Sequence, residues 1–476
     1  MVRGCALLGI LFVNVLAFGL PIALYAAGPQ EGASQADVAG WAFIRVGFQY
    51  KFIAIFSMLF GVGLAVQAGR AMQRGASFAP VYLRRVGLLA LIGFLHASFL
   101  WFGDILFVYA ILGVGLLLVS RMAGTALVQL GAVLLIVGTL WTAGCIAGGQ
   151  YMQHATGGAP GTVAGTGVPA VAPADASDAV IETGTDGAAA TDQTAIDSAR
   201  ESANEAGTDS AAAGEPAVDV APVADRGRDG VPVEPTGLPI TAGEVMETLN
   251  AVQWEFGAPA WNAAETDAYR HGTWGAVMVF RAIAWGFIIL STVVSGLGVQ
   301  LFGYFCLGAG LLRTGFFDPE RPRRAAVFAM VGLPLGLAAE GAGIALLLGG
   351  GSPGAIAIGD FLHSLFSPVA ALGWLGLITW LVSTGRSRLW DAPLAAAGRM
   401  ALTVYLGETL LCTAYFYWWG MGRFAEHGYA ELVGIAVIVY AVLVVFAMVW
   451  LRFFRMGPME WLWRSATYGR WQALRR

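Results

Sequence analysis

Charge is what this sequence has least of. Only 12% of its 476 residues are Asp, Glu, Lys or Arg, about half the share found in an ordinary soluble domain. Its 27 basic and 31 acidic side chains are too few to clothe a soluble fold of this size. A soluble enzyme, a disordered chain and a nucleic-acid binder are therefore excluded. Lysine is nearly missing: Lys51 stands alone and every other base is Arg, a bias that a high-GC genome or a halophile gives. Cysteine is sparse as well. Cys5, Cys145, Cys306 and Cys412 each lie in an apolar run, and none sits in a C-x-x-C pair, so they read as buried free thiols. Metal-ligand spacing is missing, as are a Walker loop, a strand-borne G-x-G-x-x-G and a His-Glu-x-x-His. No metal site is expected.

What fills the chain instead is apolar sequence, 57% of residues, with a mean hydropathy of +0.68. A bilayer core needs about 20 consecutive apolar residues per helix. Ten such spans are read at 4–27, 41–67, 86–102, 104–120, 124–147, 291–312, 325–349, 356–384, 397–420 and 430–452. No alternating strand pattern appears, so the fold expected is all-α, a polytopic transmembrane helix bundle. The first run is about twice the length of a signal-peptide core and is read as a retained helix.

Arg and Lys in short loops mark the cytoplasmic face. With ten spans, Arg70, Arg74, Arg84, Arg85, Arg121, Arg313, Arg321, Arg323, Arg324, Arg386, Arg388 and the arginines of the tail fall on one side. Both termini are then cytoplasmic in the cell membrane. This parity allows one crossing within 270–313. It leaves 272–289 as a helix in the outer interface, where Trp274, Arg281 and Trp285 suit the position.

The net charge of −4 hides two unlike parts. Residues 151–270 hold 19 acids and four Arg, so the remainder is basic. Three regions follow: a five-span bundle at 1–150, an acidic extracytoplasmic loop at 151–270, and a second five-span domain at 271–476. No aromatic occurs between Tyr151 and Trp254. About 155–238 is expected to be disordered, because it cannot bury enough apolar surface to offset its ordering entropy. That tract is either an acidic brush hydrated in high salt or a tolerated insertion. From Thr241 a helix is predicted, started by the Thr241-x-x-Glu244 capping box.

Ionisable groups within spans are costly and so are candidates for function. Each also has a structural reading. Asn14 can hold helices together through hydrogen bonds. Lys51 can snorkel to the interface, or bind an anionic group, or pair with Asp104. His96 is either a satisfied core histidine or a general base. Asp104 can cap the following helix, orient His96, or bind substrate. Asp360 and His363 share a face at i and i+3. Glu340 and Glu408 are further membrane carboxylates, open to a proton-relay reading. Small-x-x-x-small pairs such as Gly332 and Gly336 suit close helix packing.

Several of these residues lie in motifs that resemble a known family. Arg3-Gly4-x-Ala6-Leu7-Leu8-Gly9-Ile10-Leu11-x-Val13-Asn14 resembles the opening of the YeiB-like family, known by domain-of-unknown-function number 418. Lys51-Phe52 with Phe56-Ser57-Met58-Leu59-Phe60-Gly61 resembles its second-helix motif, and Gly103-Asp104-Ile105-Leu106-x-x-Tyr109-Ala110 its third. Gly398-Arg399-Met400-Ala401-Leu402-Thr403-x-Tyr405-Leu406 and Gly457-Pro458-Met459-Glu460-Trp461-Leu462-Trp463-Arg464 resemble its C-terminal part. Residues 150–270 lie outside the likeness.

The family is similar to membrane acyltransferases that move an acyl group from cytoplasmic acyl-CoA to an acceptor on the far side. The resemblance therefore implies acyl-CoA as donor and an extracytoplasmic glycan or lipid as acceptor. The family pattern also places an Asp three residues before Arg3, and a mis-set start codon would account for its absence. The acetyltransferase relatives use a histidine after the first helix. Residues 28–40 contain none, so the role falls to His96. The expected site is then His96, Asp104 and Asn14 for catalysis, with Lys51, Arg399, Glu408, Asp360 and His363 binding substrate. Asn14 and Lys51 would polarise the thioester carbonyl. A small-molecule or ion-coupled transporter is the alternative, with Lys51, Asp104, Glu340 and Glu408 as coupling groups. A membrane protein without chemistry is the third reading.

Overall fold

The computed structural model describes residues 1–30, 32–73, 75, 77–155, 239–349 and 353–476. The tract from 156 to 238, most of the segment expected to be disordered, lies outside the described residues. Elsewhere the chain is helical, and no strand occurs among the described residues. The elements are α1 (Val2–Gly19), α2 (Ile22–Ala27), α3 (Gln35–Gly47), α4 (Lys51–Gln73), α5 (Ala79–Phe99), α6 (Leu106–Val119) and α7 (Gly124–Ala155), then α8 (Ala242–Ala251), α9 (Pro259–His271), α10 (Trp274–Val294) and α11 (Leu297–Arg313). There follow α12 (Pro322–Val327), a π-helical turn (Phe328–Gly332), α13 (Leu333–Leu348), α14 (Pro353–Ser383), α15 (Arg388–Arg399), α16 (Ala401–Phe416), α17 (Tyr429–Phe453) and α18 (Pro458–Tyr468).

Eight helical stretches are long and apolar enough to cross a membrane, with α6, α11 and α16 as shorter apolar helices. Each of the ten expected spans overlaps one of these. Their edges follow local chemistry. Pro21 lacks an N–H and restricts Leu20, so α1 stops there and α2 begins anew. The second expected span is broken at 48–50, where Tyr50 takes φ +61°. The Thr241–Glu244 box caps α8 as read from the sequence.

One region differs from expectation. Residues 274–294 form an apolar helix of membrane-crossing length. Gly296, at φ +79°, turns the chain before α11, so the expected 291–312 span starts later. The first residues of α10 meet the end of α5: Trp274 stacks on Phe99, and Arg281 Nη1 donates to the Phe99 carbonyl at 2.9 Å. Its last residues meet α7 near Thr142 and Cys145. Both contacts lie toward the arginine-poor ends of α5 and α7.

Small residues set the helix spacing. Gly61 and Gly308 let α4 and α11 meet backbone to backbone, since a Cβ on either would stand 1.9 Å from a carbonyl oxygen of the other helix. On α13, Gly336 lies directly against Ala370 of α14, the use expected of the Gly332–Gly336 pair.

Candidate functional site

The chain between α5 and α6 is short, and its geometry makes the first cluster. His96 sits one turn before the end of α5, and Asp104 precedes α6 by two residues. The helix does not run through the intervening turn; the aspartate reaches back across it. Its Oδ1 accepts the Phe107 N–H at 2.8 Å, which caps α6. Its Oδ2 lies 2.8 Å from His96 Nδ1. Gly93 makes room for this, because a Cβ there would stand 2.4 Å from Phe107 N and 2.7 Å from Asp104 Oδ1. The capping and orienting roles of Asp104 are thus filled by its two separate oxygens.

A carboxylate can only accept, so the imidazole hydrogen is on Nδ1 and Nε2 carries the lone pair. That nitrogen lies 2.9 Å from Thr409 Oγ1 on α16. His96, Asp104 and Thr409 are all buried. Tyr405, one turn before Thr409, packs its ring 5.3 Å from the imidazole, and its hydroxyl has no hydrogen-bond partner among the described residues. Glu408, next in sequence to Thr409, is buried with both carboxyl oxygens unpartnered among the described residues.

Tyr405 also floors a cleft of about 140 Å³, comparable with a cavity that admits one benzene-sized group. The walls are apolar, from Phe56, Leu59, Phe60, Leu64, Val86, Leu89 and Leu106. The mouth is cationic. Arg3 and Arg85 line it, and Arg464 stands close enough to both for like-charge repulsion. Arg85 is held over the Trp463 ring at 3.7 Å, and the Trp463 indole N–H donates to the Arg85 carbonyl at 3.0 Å. Eleven residues of α5 separate Arg85 from His96, about 16 Å at helical rise.

A second buried cluster gathers the other membrane charges. Lys51 Nζ pairs with Glu340 at 2.8 Å and donates to the Arg45 carbonyl at 2.9 Å. Glu340 also accepts from His363 Nδ1 and from Ser367 Oγ, the latter at 2.7 Å. Arg45 pairs with Asp360 at 3.0 Å. Lys51 therefore joins Glu340 and not Asp104. The expected site residues separate accordingly: His96 and Asp104 stand together, while Lys51, Asp360 and His363 stand in the second cluster. Asn14 is half-buried on α1 and bonds to neither. Arg399 is exposed at the end of α15 and also bonds to neither.

Thr409, Ser367, Arg45 and the Arg3–Arg85 mouth were not singled out from the sequence. A lone hydroxyl in an apolar helix, or an arginine beside a loop, is common in any membrane protein. One usable signal was Thr409 following Glu408 directly within a span.

Residues 311–470 match the family described as "Protein of unknown function (DUF418)". The chain is 27% identical to the uncharacterized protein YxaH of Bacillus subtilis (strain 168) over 491 residues, spanning 100% of this chain and 94% of that protein. It is likewise 27% identical to the uncharacterized protein YeiB of Escherichia coli (strain K12) over 475 residues, spanning 98% and 94%. The DUF418 match thus covers about a third of the chain, and the likeness to YxaH and YeiB extends over nearly all of it. No solved structure matches it. The segment matched to DUF418 supplies half of each cluster: Tyr405, Glu408 and Thr409 to the first, Glu340, Asp360, His363 and Ser367 to the second. The other half, His96, Asp104, Arg45 and Lys51, comes from the N-terminal region, which the likeness to YxaH and YeiB also spans.

Proposed function

We propose that this protein is an integral-membrane acyltransferase, with His96 as general base and Asp104 as its positioning partner. The observation that carries the reading is that Tyr405, which lines the apolar cleft behind Arg3 and Arg85, packs its ring 5.3 Å from the buried His96 imidazole. An acyl-CoA donor has matching chemistry: phosphates for guanidinium groups and an apolar arm ending in a thioester. The donor enters from the arginine-bearing face, which we place in the cytoplasm together with both termini. The acceptor, a glycan or lipid hydroxyl or amine, comes from the opposite side.

In the reaction the acceptor hydroxyl takes the place that Thr409 Oγ1 holds against Nε2. His96 removes its proton as the oxygen attacks the thioester carbonyl, so a C–O bond forms. The C–S bond then breaks, and the thiolate recovers the proton from His96. Asp104 holds Nε2 as the accepting nitrogen and stabilises the imidazolium between the two transfers. The Tyr405 hydroxyl is free to donate to the developing oxyanion.

The test is turnover of radiolabelled acetyl-CoA by the purified full chain in detergent. Wild type should release or transfer the label, and His96→Ala should lower the rate by about 10²-fold or more with an unchanged melting profile. Full activity in the variant sinks the assignment of His96. No turnover of acetyl- or longer acyl-CoA by the wild type sinks the reading itself.

A further inference from the structure

The Lys51–Glu340–His363 cluster has no part in that chemistry, and its own unmet valence points to a different ligand. Lys51 balances Glu340 and Arg45 balances Asp360, so the cluster is neutral with a neutral His363. Glu340, an acceptor, fixes the imidazole hydrogen on Nδ1. Nε2 is then a bare lone pair, and it is buried with no partner among the described residues. A buried acceptor left unmet is costly. Tyr50 lies against the imidazole with ring centroids 5.2 Å apart and is itself 42% exposed, so the protein surface is one side chain away.

The elements that carry the acidic half are irregular beside it. A π-helical turn at Phe328–Gly332 precedes α13, and Pro368, which has no N–H to donate, sits inside α14 five residues after His363. Such breaks recur where helices move. The α13–α14 hairpin packs on itself through glycine, and Lys51 and Arg45 tie it to α3 and α4.

We propose that Glu340 and His363 form a proton-binding site, which takes one proton from the arginine-poor side at His363 Nε2. When it is loaded, the imidazolium competes with Lys51 for Glu340 and loosens the hold of α4 on the α13–α14 hairpin. The step forms one N–H bond, and water supplies the proton. The charged and titratable groups around it are Arg45 on α3, Tyr50 before α4, Lys51 on α4, Glu340 on α13 and Asp360 on α14, with Tyr25 of α2 near Arg45 and Tyr50. The site stands independently of the acyl-transfer reading.

The measurement is imidazole 15N NMR on the full chain, labelled at histidine and held in nanodiscs, with His363→Gln identifying the resonance. His363 should gain one proton as the pH is lowered from about 8 to about 3. Glu340→Gln removes the facing anion and should lower the midpoint by about one pH unit, a tenfold loss of proton affinity. Lys51→Met removes a facing cation and should raise it similarly. Ser367→Ala keeps every charge and deletes one donor to Glu340, so the carboxylate attracts the proton more strongly and the midpoint should rise by a few tenths of a unit. A His363 signal that stays fixed across the range overturns the proposal. So does an unchanged midpoint in Glu340→Gln or, should that variant not fold, in Ser367→Ala.

Discussion

Two buried histidines in this membrane body each bond a carboxylate through Nδ1, and they differ in what meets Nε2. At His96 it is the neutral Thr409 hydroxyl, with an apolar cleft one side chain away. At His363 it is nothing among the described residues, and the surroundings are two cations and two anions. A hydroxyl partner can be exchanged for another hydroxyl at little cost, since the hydrogen bond is replaced like for like. An ion-lined imidazole cannot exchange its partners so cheaply, because each charge needs its opposite in low dielectric. The same residue pair therefore suits chemistry in one place and charge storage in the other.

The comparison breaks most sharply at Asp104. Asp104→Asn keeps an oxygen to cap α6, so the fold should survive. The amide N–H₂ then faces His96 Nδ1 and forces the hydrogen onto Nε2, which can no longer accept. Turnover of acyl-CoA should fall by about 10³–10⁴-fold, the scale of a wrong-tautomer defect in a triad. An Asp104→Asn enzyme within tenfold of wild type would show that the pairing is structural only.

Next in size is the ion pair of the other cluster. Lys51→Met leaves Glu340 without its cation, and thermal melting in detergent should show a loss of about 3–5 kcal/mol. Adding Glu340→Leu removes the stranded charge and should restore most of that loss. Neither change touches the His96 group, so acyl transfer per folded molecule should persist in the double variant.

Glu265 supplies a third carboxyl for the same comparison, this one without a cation. It lies on α9, is buried, and accepts the Ile22 N–H at the start of α2 at 3.3 Å. Burial pushes its pKa up to about 8. The folded state therefore holds a proton that the unfolded chain has lost. That contribution is complete below the ordinary glutamate range and is lost as pH rises through about 8. Melting stability should fall by a few kcal/mol between about pH 5 and pH 8, and Glu265→Gln should flatten the slope. A wild-type slope retained in Glu265→Gln would assign the dependence to another group.

Much of the fold was legible because lipid demands long apolar runs and satisfied backbones. The start of α8 at Thr241 followed from its capping box, whereas the break at Leu20-Pro21 fell inside the expected 4–27 span. The site was legible only one residue at a time. His96, Asp104, Lys51, Glu340 and His363 each announced themselves by the cost of a polar group in a span. Only the local pairing of Asp104 with His96 could be offered; the others depend on helices brought together from up to 315 positions apart, as in Arg45 and Asp360. Ser367 gave no signal, since a single serine is ordinary; Arg45 lay within the expected 41–67 span, but near its end, where an arginine can snorkel. The 272–289 helix shows the limit of parity reasoning. Charge counting chose its place, whereas its real extent was set by Gly296, whose left-handed φ no hydropathy average records.

The smallest effect expected is also the most selective. A methyl at Gly93 meets the backbone of Phe107 and the Asp104 carboxylate, neither of which can swing aside like a flexible side chain. Gly93→Ala must push α5 from α6 by a few tenths of an ångström, costing about 1–3 kcal/mol of stability. The same shift stretches the His96–Asp104 contact, so transfer should fall further than stability alone explains. Gly336→Ala makes a comparable clash with Ala370 on the α13–α14 hairpin. It should cost similar stability and leave transfer per folded molecule intact. Equal losses of transfer in the two variants would mean that the clusters are not separate in function. Their different partners at Nε2 would then describe one extended site.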